Sequence, residues 1–217
     1  MTDRRIRAFL ILALLLSAVG CATEARDSRI PIPAGNPASL SRPLSTTAVD
    51  IPAGVDDPLT PGQLYIPTIG VNANILSLPT QMAPAPFLGG QDVPSFGVPP
   101  DMAQTAWWSD GPAIGAPGMA IIVGHTQVGG AFGVFNNLPT LKPGDRIQVE
   151  DRNGQRRIAF QVSAVVASIS KRDPGALRQV LATHPPQARL ALITCSGEFN
   201  SDLGASADNV VVFADRI

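Results

Sequence analysis

The stretch RIQVEDRNGQRRIAFQVSAVV, residues 146–166, carries the pattern that decides the fold. Two segments in which apolar and polar residues alternate, 146–150 and 156–166, flank the dipeptide Asn153-Gly154. An Asn-Gly pair between such segments is typical of a β-hairpin, because both residues tolerate the positive φ angles of a tight turn. The stretch therefore predicts two antiparallel strands.

Short apolar segments separated by turn residues continue on both sides of this hairpin. Two short helices are also predicted, at 136–138 and 173–181, the second opened by Asp173 as N-cap and Pro174 as first helical residue. About seven or eight short strands favour closure, because a closed barrel leaves no exposed sheet edge. We therefore predict an all-β fold, a closed barrel of about eight strands with one or two short helices. The further strands are expected at 63–67, 71–75, 119–123, 189–194 and 209–214.

The composition fits one globular domain with extensions. The chain has 217 residues, of which 45% are hydrophobic and 15% charged, which suits a domain of roughly 150 residues with its own core. The formal net charge is −1, and this balance gives no indication of a nucleic-acid partner.

The first 21 residues have the organisation of an export signal. Three arginines within the first seven residues precede an apolar run at 8–16, which is shorter than the roughly 20 residues that span a bilayer. The sequence SAVGC at 17–21 resembles the processing site of bacterial lipoproteins, where the cysteine, here Cys21, is lipidated and becomes the new N-terminus. We expect a signal of this type at 1–21. An ordinary signal peptide or an uncleaved anchor is the alternative.

Residues 22–62 have the composition of a tether. Prolines are scattered among Ala, Ser, Thr and Gly without an apolar period, so the segment cannot bury enough surface to offset the entropy of ordering it. We predict a flexible linker that holds a domain at 63–217 off a membrane. The expected location is the cell envelope, on the outer face of the cytoplasmic membrane, with the N-terminal signal or a lipid on Cys21 as anchor.

The number and position of the cysteines limit the thiol chemistry that the domain can perform. The chain has two cysteines, and since Cys21 falls in the signal, Cys195 is the single thiol of the domain and no disulfide can form within it. A lone thiol in an exported domain is either buried and inert or used as a nucleophile. Cys195 follows the apolar strand at 190–194 and precedes Ser196-Gly197. We therefore place it at a strand end, with its side chain in a cleft.

His125 has a comparable setting. It follows Gly124 at the end of the predicted strand 119–123. A thiol and an imidazole at two strand ends suit acyl transfer, in which sulfur attacks a carbonyl and the imidazole protonates the leaving amine. His184 lies in a proline-rich turn and is expected to have no chemical role. The spacing of Cys and His residues indicates no metal site, and no phosphate-binding or other cofactor motif is present in the sequence.

The segments around these two residues resemble those of the sortase family. Residues 192–195 (Leu-Ile-Thr-Cys) are similar to the Leu-x-Thr-Cys signature, and 123–126 (Val-Gly-His-Thr) are similar to the family's His segment. Residues 133–138 and 141–149 resemble the segment after the His, where a short helix leads to a Gly-Asp turn and a strand.

The resemblance is greatest to actinobacterial class F sortases. It rests on the Trp pair within 105–108, the Pro-Gly run to Gly118, and residues 195–199 and 208–212, and it spans about 63–214. It implies a sortase-like barrel in which Cys195 is the nucleophile and His125 its partner.

The implied activity is that of a cysteine transpeptidase. Such an enzyme cleaves an LPxTG-like sorting signal through a thioacyl intermediate and joins the protein to a cell-envelope amine. The implied partners are secreted proteins that bear a C-terminal sorting signal, together with a peptidoglycan precursor or another amine acceptor. The resemblance implies no cofactor.

One feature of the family is missing. Sortases use an Arg near the start of the strand after the Cys, where this chain has Ser206-Ala207-Asp208-Asn209, and Arg216 lies beyond that strand. The alternative hypothesis is therefore a non-catalytic or weakly active envelope lipoprotein that binds peptide. A third class, the cysteine transpeptidases that cross-link peptidoglycan, is disfavoured because its Ser-His-Gly-Cys-like motif is not found at Ile193-Thr194-Cys195.

Overall fold

The computed structural model describes residues 57–128, 130–184 and 188–217. The predicted signal, Cys21 and most of the predicted tether lie outside the described residues. No helix in the described part of the chain is long and apolar enough to cross a membrane.

Within these residues the chain forms twelve β-strands and a single α-helix, α1 (Ala176–Thr183). Eight of the strands close into one barrel, in the order β1-β2-β5-β6-β11-β12-β10-β9, and this confirms the predicted all-β fold and the closed barrel of about eight strands. The remaining four strands form two separate hairpins, β3-β4 and β7-β8. The strands are β1 (Pro61–Ile66), β2 (Val71–Leu78), β3 (Thr80–Ala85), β4 (Gln91–Phe96), β5 (Thr105–Trp108), β6 (Ala120–Gly124), β7 (Gln127–Val128), β8 (Ala131–Phe132), β9 (Arg146–Asp151), β10 (Arg157–Ser170), β11 (Ala188–Asn200) and β12 (Ala205–Arg216).

The β9-β10 hairpin forms as its sequence predicts. The two strands are antiparallel with Arg157 opposite Glu150, and Gly154 adopts a φ of 69° in the turn. Its backbone N–H donates a hydrogen bond to the carbonyl of Asp151 at 3.1 Å. Glycine is required here because a positive φ is costly for residues with a Cβ.

Apolar residues lie on both faces of the barrel wall. The inner face buries Leu64, Ile122, Phe160, Leu192 and Val212 in one cluster. Residues one position along the same strands, including Ile121, Val123, Ile193 and Val211, form a second cluster outside the wall, and α1 packs on it. Successive residues of a strand point to opposite faces, so the odd-numbered positions of β6, β11 and β12 face outward near this helix.

The two predicted helices are displaced along the chain, by two or three residues at each end. α1 begins at Ala176 after Gly175 as N-cap, because the carboxylate of Asp173 accepts a hydrogen bond from the N–H of Gly175 at 2.8 Å and closes a separate turn before the helix. The helix predicted at 136–138 is a 3-10 turn at Leu138–Thr140.

The β3-β4 hairpin was not expected from the sequence. Pro84 and Pro94 lie within its strands, and proline inside a strand argues against a strand prediction. The first residue of the hairpin is fixed to the barrel, since the N–H of Thr80 donates to the Asp110 carboxylate at 2.7 Å and the indole N–H of Trp108 donates to the Thr80 hydroxyl at 2.9 Å. The hydrogen bond from the backbone of Thr80 holds the pKa of Asp110 below its usual value.

The first strand of the domain starts slightly before residue 63, where the domain was predicted to begin. β1 starts at Pro61, and Leu59, which is 3% exposed, forms a bridge with Ile114. A buried apolar side chain at this point attaches the start of the domain to the barrel.

Candidate active site

Cys195 lies on β11 with an exposed, free thiol. The prediction that it ends its strand is wrong, because β11 continues to Asn200, paired with β12. On its other side β11 pairs with β6, whose last residue is Gly124. Cys195 is therefore located where β11 extends beyond one neighbour, and exposure of the thiol excludes the alternative of a buried, inert cysteine.

Parallel pairing of β6 and β11 brings His125 alongside Cys195. Ile193 is the register partner of Val123, and the hydroxyl of Thr194 donates to the carbonyl of Gly124 at 2.7 Å. Continuing this register by two residues beyond Ile193 and Val123 puts His125 beside Cys195, with about 5 Å between the two backbones. Val123 and Ile193, two residues earlier in each segment, face outward, so alternation assigns His125 and Cys195 to the same outer face of the barrel.

The imidazole of His125 is held by a backbone carbonyl. Its Nε2 lies 2.8 Å from the carbonyl oxygen of Pro99, and the ring is partly buried. A carbonyl can only accept a hydrogen bond, so Nε2 carries the proton and Nδ1 is left for chemistry. The backbone of His125 is fixed as well, since the N–H of Phe135 donates to its carbonyl at 2.8 Å.

A lysine occupies the other side of the thiol. The Nζ of Lys171 lies 3.2 Å from the Sγ of Cys195. Lys171 follows the last residue of β10, and its backbone N–H donates to the carbonyl of Ala207 at 2.9 Å. Lys171 was not among the predicted site residues, since the strand before it was predicted to end at 166 and in fact continues to Ser170; the two consecutive cations Lys171 and Arg172 were the available signal.

The residue opposite Cys195 on β12 is Asn209. Asn209 lies in the four-residue segment 206–209, where the sequence resemblance predicted an arginine. Arg216 is far from this point, because it pairs with Phe160 near the other end of β12 and donates to the carbonyl of Gly115 at 3.3 Å. Among the described residues, Lys171 is the cation in hydrogen-bond contact with Cys195.

Exposed aromatic side chains follow both residues along the chain. Phe132 on β8 is 71% exposed and Phe199 on β11 is 56% exposed. They belong to the β7-β8 and β11-β12 hairpins, which follow His125 and carry Cys195 respectively. Exposed apolar side chains of this kind are suited to contact an extended peptide.

The second histidine, His184, stacks on Phe213 with ring centroids 5.3 Å apart.

Comparison with known proteins gives one family. A family model described as the sortase domain matches residues 64–217. No curated protein matches the chain.

Solved structures of similar fold include sortase A from Corynebacterium diphtheriae, with 19% identity, a TM-score of 0.50, and 74% of this chain and 62% of that chain covered. Sortase C-1 from Actinomyces oris gives 18% identity, a TM-score of 0.47, and coverage of 74% and 75%. A pilus-related sortase C of Group B Streptococcus gives 17% identity, a TM-score of 0.48, and coverage of 72% and 66%.

Proposed function

The chain belongs to the sortase family, and from this premise we propose that it is a cysteine transpeptidase with Cys195 as nucleophile and His125 as acid–base partner. The observation that carries the proposal is the pairing of β6 with β11, which aligns an exposed thiol and a fixed imidazole on one face of the barrel. Nucleophile and base within reach of each other are the minimum for thiol-based acyl transfer.

In the proposed first half-reaction, the Cys195 thiolate attacks the Thr carbonyl carbon of an LPxTG-like sorting signal. A C–S bond forms and the carbonyl electron pair moves to oxygen. When the carbonyl re-forms, the C–N bond to Gly breaks, and the leaving amine takes a proton from the His125 imidazolium. The product is a thioester on Cys195.

In the second half-reaction, an amine of the cell envelope attacks the thioester carbon. The amine gives its proton to the neutral imidazole of His125, and the C–S bond breaks to release Cys195 as thiolate. The starting charges on both residues are restored. Because Nε2 of His125 is bonded to the carbonyl of Pro99, we assign both proton transfers to Nδ1.

The substrate is proposed to lie against the two exposed aromatic residues. Phe132 and Phe199 present exposed apolar surface, one on the hairpin that follows His125 along the chain and the other on the strand that carries Cys195, which favours an extended segment with apolar side chains such as a sorting signal. The proposed partners are accordingly secreted proteins with a C-terminal sorting signal and a peptidoglycan precursor or other amine.

Assignment to class F and location on the outer face of the cytoplasmic membrane are parts of the same proposal. They are supported by the sequence resemblance at 195–199 and 208–212 and by the signal-like residues 1–21. The tether predicted from the sequence ahead of β1 would let the domain reach both a membrane-bound substrate and the cell wall.

The second candidate is a domain that binds sorting-signal peptides with little or no turnover. It is favoured by Asn209, because the residue opposite Cys195 on β12 is then not an arginine. Loss of one donor to a developing oxyanion typically lowers turnover by about 100- to 1000-fold.

Incubation of the purified full chain with sorting-signal peptides and an amine tests the proposed function. We expect a mass corresponding to the thioacyl adduct on Cys195 and an amine-linked product, both lost in Cys195→Ala. His125→Ala should accumulate less product by about 100-fold or more, because the leaving amine has no proton donor, while His184→Ala should behave like the wild type. Peptide binding without adduct or product, over several motifs and amines, would instead establish the second candidate.

A further inference from the structure

We propose that Lys171 is a catalytic residue that stabilises negative charge on the sulfur of Cys195, as the nearby cation of a site in which the residue opposite the thiol is Asn209 and not an arginine. The catalytic part of this inference rests on the proposed function, whereas the electrostatic part concerns the thiol alone. Its starting observation is the 3.2 Å distance between Nζ of Lys171 and Sγ of Cys195.

A bulge in β10 directs Lys171 to the face of Cys195. The β10-β12 register shifts between Val166 and Ile169, and Ser168 within the bulge adopts a φ of 57°. One extra residue in a strand reverses which face the following side chains occupy. After the bulge, Ile169 faces Asn209 and packs in the outer cluster, and Lys171, two residues further, projects from the same side.

The positive φ of Ser168 indicates that the surrounding structure enforces this bulge. A residue with a Cβ at positive φ costs energy and persists only where the surrounding structure enforces it, often near functional sites. Without the extra residue, the strand would present Lys171 to the opposite face, away from the thiol. The bulge is therefore the feature that brings a cation to Cys195.

The backbone on both sides of Lys171 is fixed. Its own N–H donates to Ala207, and the N–H of Arg172 donates to the Ser170 hydroxyl at 3.3 Å. The guanidinium of Arg172 lies over the ring of Phe87, 4.9 Å from its centroid, and links this turn to the β3-β4 hairpin. Lys171 thus extends from a constrained turn, which lowers the entropic cost of holding its ammonium at the sulfur.

The charge of Lys171 is directed at the thiol and not at a carboxylate. Lys171 forms no ion pair within the described part of the chain. An ammonium at hydrogen-bond distance from a thiolate is the arrangement that raises the reactive fraction of a cysteine. In the proposed reaction this charge would favour the thiolate before attack and again when the thioester breaks and sulfur leaves.

Alkylation of Cys195 tests the electrostatic part without any substrate. In the full chain carrying Cys21→Ser, so that one thiol remains, the rate constant for iodoacetamide near pH 7 is measured for Lys171→Met, Lys171→Arg and Lys142→Met. Lys142 is the other lysine of the chain. Lys171→Met should react about three- to tenfold more slowly, because a unit charge at this distance is worth about that factor in a solvent-exposed site. Lys171→Arg should retain at least about half the rate and Lys142→Met all of it.

A second measurement compares anionic and cationic methanethiosulfonate reagents on the same protein. A cation at the sulfur attracts the anionic reagent, so the ratio of anionic to cationic rate constants should fall about fivefold in Lys171→Met and in wild type at about 1 M salt. If Lys171→Met does not fold, the effect of salt on this ratio in the wild type alone tests whether a cation lies at the sulfur.

Equal alkylation rates in wild type and Lys171→Met, or a reagent ratio insensitive to salt, would overturn the proposal. Its failure is distinct from failure of the proposed function, because alkylation reports on the thiol and peptide turnover reports on transpeptidation. If Lys171→Met lowers turnover by the same factor as alkylation, the catalytic role is established as well. Unchanged turnover in a variant with slowed alkylation would overturn that catalytic role.

Discussion

The hydroxyl of Thr194 donates a hydrogen bond to the carbonyl oxygen of Gly124 at 2.7 Å, and so joins the residue before Cys195 to the residue before His125. Thr194 is 3% exposed, which places this bond inside the barrel wall, away from competing water. The spacing between the candidate nucleophile and its base is thus set by a buried contact one residue behind them.

Replacing Thr194 with Val tests how much this contact contributes. The side chains have similar shape, but Val leaves the carbonyl of Gly124 without the hydroxyl donor, so Thr194→Val should lower the free energy of unfolding by about 1–3 kcal/mol. Urea unfolding gives the value. Thr140→Val is the control, because its hydroxyl bond to the carbonyl of Asn137 is exposed, and it should cost under about 0.5 kcal/mol. Equal decreases in the free energy of unfolding of the two variants would show that the buried hydrogen bond contributes no more to stability than the exposed one.

The two histidines should be found in opposite neutral tautomers. Nε2 of His125 contacts the carbonyl of Pro99, whereas Nδ1 of His184 contacts the carbonyl of Leu181. Because a carbonyl only accepts, the proton must be on Nε2 in His125 and on Nδ1 in His184. Nitrogen-15 NMR of the imidazole rings near pH 9 measures this directly. An Nδ1–H tautomer at His125 would contradict our assignment of the proton transfers to that nitrogen.

The fold was predictable where local patterns and burial act together. The Asn153-Gly154 turn and the apolar strands around it required no distant contact, and they led to the barrel. The end of β11 was missed because residues 196–200 are polar or exposed and are held in a strand by pairing with β12, which sequence periodicity does not report. The β3-β4 hairpin was missed for the related reason that its prolines argue against a strand.

Two residues of the candidate site could be proposed from the sequence, because His125 and Cys195 come directly after apolar segments and are chemically conspicuous. Lys171 is 24 residues from Cys195 in sequence. Its contact depends on a bulge at Ser168 that reverses the faces of β10. Nothing in the alternation of that strand indicates where the extra residue is inserted, so the sequence could supply the cation but not its position.

Gly133 supports His125 through close packing, and Gly133→Ala should disturb it. A Cβ at this position would lie 2.4 Å from the carbonyl oxygen of His125 and 2.6 Å from its carbonyl carbon. Main-chain atoms cannot move aside as a flexible side chain can, so the variant should be destabilised by about 1–3 kcal/mol.

Gly175→Ala is the matched control, since the nearest atom to its Cβ is the Asp173 carboxylate at 3.4 Å and the expected cost is under about 0.5 kcal/mol. Urea unfolding gives both stabilities, and peptide turnover gives the effect on His125. We expect Gly133→Ala to lose turnover beyond what its unfolded fraction accounts for. Wild-type stability and turnover in Gly133→Ala would mean that the His125 segment is free to shift.

Asn209 allows a final test, because a cation placed at this position would approach Cys195 from β12, whereas Lys171 approaches it from the turn after β10. It is the register partner of Cys195 on β12, and directly opposed side chains have Cβ atoms about 5 Å apart. An arginine at this position would therefore reach the sulfur from the strand side, while Lys171 approaches from the turn after β10.

In a Lys171→Met background, Asn209→Arg should restore alkylation of Cys195 to within about threefold of the wild type, since it replaces one nearby cation with another. Peptide turnover should recover in parallel, by about tenfold or more if the guanidinium also donates to the developing oxyanion. Gln161→Arg is the control, because it adds the same charge at an exposed position opposite Asp215, near the other end of the barrel, and should restore nothing.

With Lys171 present, the same Asn209→Arg substitution should have a small effect, under about threefold, because the second cation is repelled by the first and the thiolate is already stabilised. A large gain in the wild-type background would show that Lys171 does not fill the role of the missing arginine. If Asn209→Arg raises alkylation and turnover only in the Lys171→Met background, then an arginine at 209 and the lysine at 171 perform the same function.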